Sequence, residues 1–240
     1  MESVVTQRIA IILARGGSKR LPRKNVMPFG GRPMLAWSVG AALDSGCFQR
    51  VLVSTDDEEI AQAAIAAGAE VPFLRDRAAD DQSPSSAATR IALEQAETYW
   101  NERYDVVAQL MANCPLRNAD DVRAGVTHFH DSGAPSQISA FKFGWMNPWW
   151  AVKLAPDGQP DWVFPEARQS RSQDLPSLYC PTGALWLAQR DAFVGGENFY
   201  LPGHIFFPMD WTSAVDIDDA ADLAMAEACF ALRQRHQDAA

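Results

Sequence analysis

The sequence feature that most constrains the fold is an apolar run followed directly by a basic, glycine-containing loop. Residues 9–13, Ile-Ala-Ile-Ile-Leu, are aliphatic at every position, which predicts a strand buried on both faces of a sheet. Residues 14–25 then contain Gly16, Gly17 and five cations. The cations are Arg15, Lys19, Arg20, Arg23 and Lys24. Adjacent glycines let backbone N–H groups approach a ligand, and the cations can neutralise a polyphosphate.

The loop matches neither of the common glycine-rich phosphate motifs. Gly-x-x-x-x-Gly-Lys-Ser/Thr and Gly-x-Gly-x-x-Gly are both absent from residues 14–25. On motif grounds alone, a solvated turn with surface cations is therefore as good an interpretation as a phosphate site.

The elements expected around this loop predict an α/β fold. Strands are expected at residues 51–55, 70–74 and 105–111, and helices at residues 34–45, 61–67, 84–100 and 119–130. Pro33 suits a first helical position, Gly46 a helix end, and Ser83 with Pro84 a capped helix start, while Pro72 favours an edge strand. Such alternation predicts a Rossmann-like, mostly parallel sheet flanked by helices, in one domain over residues 1–240. Ligands in such sheets bind beyond the carboxyl ends of the strands, where the basic loop would lie.

Composition excludes several classes of function. A net charge of −9 and a pI of about 4.9 argue against nucleic-acid binding, so a polyanion must be met by a local basic pocket. The four cysteines, which are widely scattered, predict free thiols, with neither a zinc site nor a disulfide framework: Cys47, Cys114, Cys180 and Cys229. No signal-peptide layout or membrane-length apolar run is present. We therefore expect a cytoplasmic protein without a membrane partner, in which Cys114 packs rather than reacts.

Two aspartates near the carboxyl end suggest a metal site. Asp216 and Asp218 alternate with Ile217, so on a strand both carboxylates would face one side. Neighbouring carboxylates repel each other unless a cation joins them, and Mg²⁺ binds a few such oxygens together with phosphate oxygens. Capping of a helix at residues 220–234 by Asp219 is the alternative, and the spacing alone favours neither interpretation.

From residue 137 onward the sequence becomes rich in aromatic residues. Four of the eight tryptophans fall within 18 residues, at Trp145, Trp149, Trp150 and Trp162, and a hairpin turn is expected at residues 156–158. Three interpretations stay open for the aromatic side chains: a core wall, a sugar-stacking surface, or a patch that pairs with a second subunit.

The twelve residues Ala14 to Asn25 resemble the signature of the acylneuraminate cytidylyltransferase family. Its members are the CMP-sialic acid synthetases and relatives acting on pseudaminic, legionaminic and Kdo-type acids. Residues 112–117, 168–176, 179–187 and 216–218 are also similar, although Cys180 and Thr182 replace an arginine and an asparagine of the family. The resemblance implies a nucleotidyltransferase-type fold. It also implies a homodimer, in which a β-rich insertion at residues 137–182 crosses to the partner and helps complete the sugar pocket.

The resemblance further implies roles for single residues. The nucleotide contacts would be Leu13, Ala14, Arg15, Gly16, Gly17, Ser18, Lys24, Asn25, Arg75 and Ser86. The sugar-acid contacts would be Asn113, Arg168, Arg171 and Gln173, although a solvated surface loop is an equal alternative for each arginine taken singly. Arg15, Lys24 and Asp218 would act in catalysis, and Asp216 and Asp218 would hold Mg²⁺.

The implied reaction is transfer of CMP from CTP to the anomeric hydroxyl of a 2-keto sugar acid, with release of pyrophosphate. Such chemistry depends mainly on positioning and charge neutralisation. Two alternatives remain open: an enzyme of the same fold that uses another nucleoside triphosphate, and a non-catalytic nucleotide-binding homologue.

Overall fold

The computed structural model describes residues 6–77 and 84–238, and the side chains as far as residue 235. The main sheet has six strands: β1 (Arg8–Leu13), β4 (Arg50–Ser54), β5 (Val106–Met111), β6 (Ser136–Lys142), β9 (Tyr179–Gln189) and β10 (Ile205–Met209). Two small strand pairs stand apart: β2 (Pro28–Phe29) with β3 (Arg32–Pro33), and β7 (Val152–Leu154) with β8 (Pro160–Trp162). The helices are α1 (Met34–Ser45), α2 (Glu58–Ala66), α3 (Ser85–Trp100), α4 (Ala119–Ser132), α5 (Arg190–Gly195) and α6 (Ala220–Asp238).

The sheet is mostly parallel, as the sequence predicts. Its strand order is β10–β6–β9–β5–β1–β4, with β1 parallel to both β4 and β5, and β6 parallel to β10. Only β9 runs antiparallel to its neighbours, β5 and β6. In this register Leu13 lies beside Ser54 and Met111, so three strands end together. The loops that follow them meet at one edge.

Helices cover both faces of the sheet because β1 is apolar on both sides. Ala10 and Ile12 belong to the cluster that packs against α1, α2 and α4, while Ile9 and Ile11 belong to the cluster that packs against α3 and α5. All four residues are fully buried. The prediction of a strand buried on both faces is confirmed.

The expected strand at residues 70–74 is wrong. Only Glu70 pairs with the sheet, through a single parallel bridge to Leu52. Pro72 has no backbone N–H to continue a ladder, which limits the contact to one residue. Pro33 precedes α1 as its N-cap residue rather than opening the helix. Ser83, expected to cap α3, lies outside the described residues, and α3 begins at Ser85.

The stretch from residue 137 to residue 182 contributes to two sheets. It begins within β6 of the main sheet, leaves as the β7–β8 hairpin, and returns at the start of β9. Gly158 at φ +82° turns the hairpin, as expected for a tight turn in this position. Several large apolar side chains in this stretch are exposed: Trp145, Met146, Trp150, Val152, Leu154, Val163 and Tyr179.

Candidate functional site

The basic loop is held in place by backbone and side-chain hydrogen bonds at the end of β1. Gly16 N–H donates to Asp56 Oδ1 at 2.9 Å, and Asn25 Nδ2 donates to the Arg15 carbonyl at 2.9 Å. A Cβ on Gly16 would lie 2.7 Å from Asp57 Oδ2, so only glycine lets the loop pass this close to the start of α2. The loop is therefore a built structure rather than a free turn.

Arg23, one of the five cations, has a structural role in this loop. Arg23 adopts the left-handed conformation at φ 57°, and its guanidinium pairs with Asp57 at 2.5 Å and with Glu59. The hydrogen bond from Arg23, opposed by burial, lowers the pKa of Asp57. Asp57 also caps α2 by accepting from Ile60 N–H at 3.1 Å. Arg23 thus ties the loop to α2.

Two other cations reach the carboxyl-terminal aspartates. Lys24 Nζ lies 2.9 Å from Asp218 Oδ1 and 2.7 Å from the Ile217 carbonyl oxygen, and its side chain is largely buried. Arg20 Nη2 lies 2.5 Å from Asp218 Oδ2. Residues 194 positions apart therefore meet in one crevice. The structure also adds Arg20 to the site, because sequence alone gave no way to rank it above the other loop cations.

Asn113 joins the two aspartates. Its Nδ2 donates to Asp216 Oδ1, to Asp218 Oδ1 at 3.3 Å and to the Ile217 carbonyl at 3.0 Å. Ile217 N–H donates back to the Asn113 carbonyl at 2.9 Å. The predicted strand at residues 216–218 is wrong, because the segment is irregular and its hydrogen bonds go to this one residue. Both carboxylates nevertheless face the same amide.

Asp219 caps the closing helix, as one of the two interpretations of this segment expected. Asp219 Oδ1 accepts from Ala221 N–H at 2.9 Å and from Asp222 N–H at 3.1 Å. Asp222 Oδ2 accepts from Asp218 N–H at 2.9 Å. The start of α6 is therefore capped without the side chains of Asp216 and Asp218.

The two aspartates differ in how readily they ionise. Asp216 is exposed to a neighbouring cavity, but crowding by protein atoms and the charge of Asp218 raise its pKa to about 6. Burial also acts on Asp218, but hydrogen bonds and charges from Lys24 and Arg20 outweigh it and lower the pKa of Asp218. A carboxylate whose charged form is disfavoured by desolvation and by a neighbouring ionised carboxylate fits a divalent cation.

Two carboxylates alone are a partial ligand set. Within the described ranges, no group of three His, Cys, Asp or Glu side chains is placed to hold a metal ion. Mg²⁺ commonly takes one or two protein carboxylates and completes its shell with phosphate oxygens and water. Asp216 and Asp218 fit that donor set as its two protein ligands, with water or the phosphate oxygens of a bound ligand completing the shell.

Arg75 and Ser86 lie at the same edge of the sheet. Arg75 is buried after β4, its Nη1 donating to Ser54 Oγ at 3.0 Å and to the Ser54 carbonyl at 3.1 Å. Its Nε has no hydrogen-bond partner among the described residues, and burial lowers its pKa. Ser86 is buried in the first turn of α3. Cys114, nearby, is fully buried with a raised pKa, as expected for a packing role.

A cavity of about 770 Å³ has Asp216 in its lining but no residue of the basic loop. Its lining is dominated by aromatic and apolar side chains: Phe141, Phe143, Trp145, Met146, Pro181, Trp186, Tyr200, Trp211, Ala214, Val215 and Met225. The polar lining groups include Lys142, Cys180, Thr182 and Asp216, and the Thr182 hydroxyl already donates to the Ala214 carbonyl at 2.9 Å. The cavity is therefore largely apolar, with one basic side chain, that of Lys142, in its lining.

The predicted sugar contacts divide into two groups. Asn113 belongs to the crevice through its bonds to both aspartates. Arg168, Arg171 and Gln173 do not line the cavity in the described part of this chain. Arg171 Nε pairs with Asp174 at 2.7 Å, and the Arg168 guanidinium stacks 5.5 Å from the centroid of the Trp162 ring. The structure thus leaves these three in a separate polar loop.

Comparison with known proteins identifies the family. A family model described as cytidylyltransferase matches residues 9–141, which carry the basic loop and Asn113. The chain belongs to the cytidylyltransferase family. This cytidylyltransferase has the fold of a CMP-2-keto-3-deoxy-manno-octonic acid synthetase solved with CTP, at a TM-score of 0.70 and 17% identity over 95% of this chain and all of that one.

Two curated relatives cover nearly the whole cytidylyltransferase. Pseudaminic acid cytidylyltransferase of Campylobacter jejuni is 34% identical, over 93% of this chain and 96% of the relative. CMP-N,N'-diacetyllegionaminic acid synthase of Legionella pneumophila is 30% identical, over 94% of this chain and 97% of the relative. The expected family, α/β fold and CTP-dependent nucleotidyl transfer are confirmed. No helix of the described residues has the length and apolar character needed to span a membrane.

Proposed function

We propose that this cytidylyltransferase transfers CMP from CTP to the anomeric hydroxyl of a nonulosonic acid of the pseudaminic or legionaminic type. Pyrophosphate is the second product. The observation that carries the proposal is the junction at Asp216, where the crevice of the basic loop meets a largely apolar cavity of about 770 Å³. One side suits a triphosphate and the other a sugar acid with acyl and methyl groups.

The nucleotide side uses the predicted residues at the ends of the parallel strands. The backbone of Leu13, Ala14 and Arg15 would read the base, while Gly16, Gly17 and Ser18 would line the phosphates. Of their N–H groups that of Gly17 would donate to a phosphate, since those of Gly16 and Ser18 already donate to Asp56 Oδ1 and to the Gly16 carbonyl. Arg15 and Lys24 would neutralise the triphosphate, and Asn25, Arg75 and Ser86 would add hydrogen bonds. Arg20 joins this set because it shares Asp218 with Lys24.

Asp216 and Asp218 would hold Mg²⁺ together with CTP. A divalent ion held there supplies positive charge to the phosphates as the leaving group departs. Asn113 keeps the two carboxylates on one side of the crevice. When the triphosphate arrives, Lys24 and Arg20 would turn from Asp218 to the phosphates, which frees the carboxylate oxygens. The oxygen of the anomeric hydroxyl would then bond to the α-phosphorus as the bond to the bridging oxygen breaks, its proton passing to Asp218 and pyrophosphate leaving.

The cavity supports an acyl-substituted acceptor over a highly hydroxylated one. A hydroxyl buried without a partner costs about 1–3 kcal/mol, and each apolar Å² buried contributes about 25 cal/mol. Trp145 and Trp211 offer large exposed faces to methyl and acyl groups. Cys180, in place of the family's arginine, removes one charged donor, and Lys142 is the basic side chain that lines the cavity.

The proposal includes a homodimer in the cytoplasm. The exposed apolar side chains between residues 145 and 179 suit a subunit interface. An interface there would let the Arg168, Arg171 and Gln173 loop of the partner subunit approach the sugar carboxylate. All four cysteines are free thiols, as is usual in a reducing compartment.

The direct test is a substrate matrix. The protein is incubated with Mg²⁺, each of the four nucleoside triphosphates, and pseudaminic, legionaminic, sialic and Kdo-type acids, and CMP-sugar and pyrophosphate are quantified. Among the four nucleoside triphosphates, we expect turnover only with CTP. Among the acids, we expect the highest kcat/KM with one that carries two N-acyl groups. Preference for the Kdo-type acid would refute the acceptor assignment, and no turnover with any acid would refute the proposal as a whole.

A further inference from the structure

A second cavity, of about 420 Å³, lies between α1, the start of α4 and α6. It has no residue in common with the cavity beside Asp216. Its walls include three arginines and a single acidic side chain, Asp44, in a protein whose net charge is −9. The arginines are Arg32, Arg117 and Arg233. This basic cavity has no part in the proposed reaction.

Arg117 is the most unusual of the three. It is only 2% exposed, and one nitrogen, Nη1, donates to the Ala184 carbonyl. Its Nε and Nη2 have no hydrogen-bond partner, and no carboxylate lies within 4 Å of it, among the described residues. Burial lowers its pKa, opposed by the neighbouring Cys114 and Asp121, neither of which hydrogen-bonds to the guanidinium. Buried charges are ordinarily paired, so the positive charge here calls for an anion.

Arg32 lies on another wall of the cavity. Its guanidinium stacks 3.5 Å from the centroid of the Trp37 ring, and no carboxylate within the described ranges lies within 4 Å of it. Partial burial lowers its pKa, with the charge of Asp44 opposing that shift. The stacked geometry leaves the N–H groups of the guanidinium available to a ligand. Arg233, by contrast, donates to Leu116, Thr212 and Ser213.

The start of α4 adds two further donors. This helix spans 14 residues, and Asn118 and Ala119 at its start line the cavity. The N–H groups of Ala119 and Asp120 have no acceptor among the described residues. The two acidic side chains of this turn are already engaged, Asp120 with Arg123 at 2.5 Å and Asp121 with the Asn118 N–H at 3.0 Å. The helix dipole and these N–H groups favour an anion.

We propose that this second cavity is an anion-binding site that takes a small phosphate ester. Arg32 and the α4 N–H groups would bind the phosphate, and Arg117, which also lines the cavity, adds a further positive charge. Trp37, Ala41, Leu116 and Phe230 form apolar walls that suit an organic body attached to the phosphate. The volume falls in the range of small-molecule pockets, about 300–1,000 Å³.

The test uses inorganic phosphate and phenyl phosphate as probes of the full-length chain. Lys24→Ala removes a principal cation of the nucleotide crevice, so this background reduces binding there. Titration is followed by calorimetry and by the amide resonances of Ala119 and Asp120, which report the second cavity, and of Gly16 and Gly17, which report the crevice. We expect both probes to shift Ala119 and Asp120 and phenyl phosphate to bind more tightly.

Two further variants make the result specific. Arg32→Gln in the Lys24→Ala background should weaken phosphate binding at least tenfold, whereas Arg103→Ala, an exposed arginine paired with Asp191, should leave the affinity unchanged. Arg32 is exposed, so circular dichroism should report an intact fold. Unshifted Ala119 and Asp120 amides, or equal affinity in Arg32→Gln, would overturn the site. If phenyl phosphate bound no more tightly than inorganic phosphate, the proposal that the site takes a phosphate ester would be overturned.

Discussion

The two sides of Asp216 are built on opposite physical principles. On the nucleotide side, charged groups are already satisfied by one another, with Asp218 held by Lys24 and Arg20, and both aspartates held by Asn113. On the cavity side, large apolar surfaces stand open, and Trp145 is 87% exposed. One half is polar and internally bonded, and the other is largely apolar, with surfaces that the described residues leave uncovered.

The difference teaches where specificity and chemistry reside. Ionic contacts stay in place until a phosphate replaces them, so the nucleotide side acts on charge and geometry. An apolar surface selects by shape and by the penalty on unpaired hydroxyls. We therefore expect substitutions on the nucleotide side to reduce turnover, and substitutions on the cavity side to change acceptor affinity.

The largest effect is expected for Lys24→Ala. Its side chain is largely buried and bonds both Asp218 and the Ile217 carbonyl, so its loss removes a fixed cation from the crevice. Removing one such group commonly costs about 10²–10³ in kcat. We expect kcat to fall by about 10³-fold in steady-state assays, with an unchanged circular dichroism spectrum. Lys153→Ala, which removes an exposed lysine of β7, is the matched control. Near-normal turnover of Lys24→Ala would remove the basic loop from the mechanism.

The next effect concerns pH and Asp216. Its pKa is raised to about 6, so below that pH its carboxyl is mostly protonated and cannot bind a metal. Metal binding must then displace a proton, and apparent Mg²⁺ affinity in the presence of CTP should fall about tenfold for each pH unit below 6. Above pH 6 the affinity should level off.

Calorimetric titration of Mg²⁺ between pH 5 and pH 8 measures this dependence. CTP itself takes up protons in this range, so Asp216→Asn provides the comparison. The variant should bind Mg²⁺ more weakly throughout and lose the part of the pH dependence that belongs to the protein. Identical profiles for the two proteins would exclude Asp216 as a ligand.

On the cavity side, Trp145→Ala should raise the KM for the acceptor about tenfold and leave the KM for CTP within twofold. The indole lines the cavity and is exposed in this chain, so an acceptor would cover it on binding. Burial of an aromatic side chain supplies about 1–3 kcal/mol. Tyr99→Ala, which removes an exposed aromatic side chain of α3 outside the cavity lining, is the control. A fall in kcat without a change in acceptor KM would contradict the division between the two sides.

The same division explains what the sequence could foretell. The nucleotide side is built from short, contiguous segments, so the loop at residues 14–25 and the pair Asp216 and Asp218 could be identified, as could the parallel sheet that brings them together. The partner that each cation of the loop contacts could not be predicted. Arg23 turns toward Asp57 because of its left-handed backbone, and such a conformation has no signal in a run of cations.

The cavity could not be predicted from the sequence because the residues that line it are far apart in the chain. They come from the end of β6, the start of β9 and the residues between 200 and 225. Of the tryptophans singled out in the sequence, only Trp145 lines it. The irregular segment at residues 216–218 was mistaken for a strand for a similar reason. The same alternation of polar and apolar residues also occurs in an irregular segment that is held by hydrogen bonds to one distant residue, here Asn113.

The smallest effect expected here is also the sharpest test of the polar side. Arg20 and Asp218 are both substantially exposed, so their ion pair is worth at most about 1 kcal/mol. That pair nevertheless occupies Asp218 Oδ2, an oxygen that Mg²⁺ would use. Arg20→Gln should therefore tighten Mg²⁺ binding to the nucleotide-free protein by up to about fivefold, while weakening CTP binding. Both affinities are measured by calorimetry, with each ligand added alone. Tighter Mg²⁺ binding together with weaker CTP binding would establish that Arg20 and Mg²⁺ compete for Asp218 until CTP binds. Weakening of both would mean that Arg20 supports the aspartates rather than blocking them.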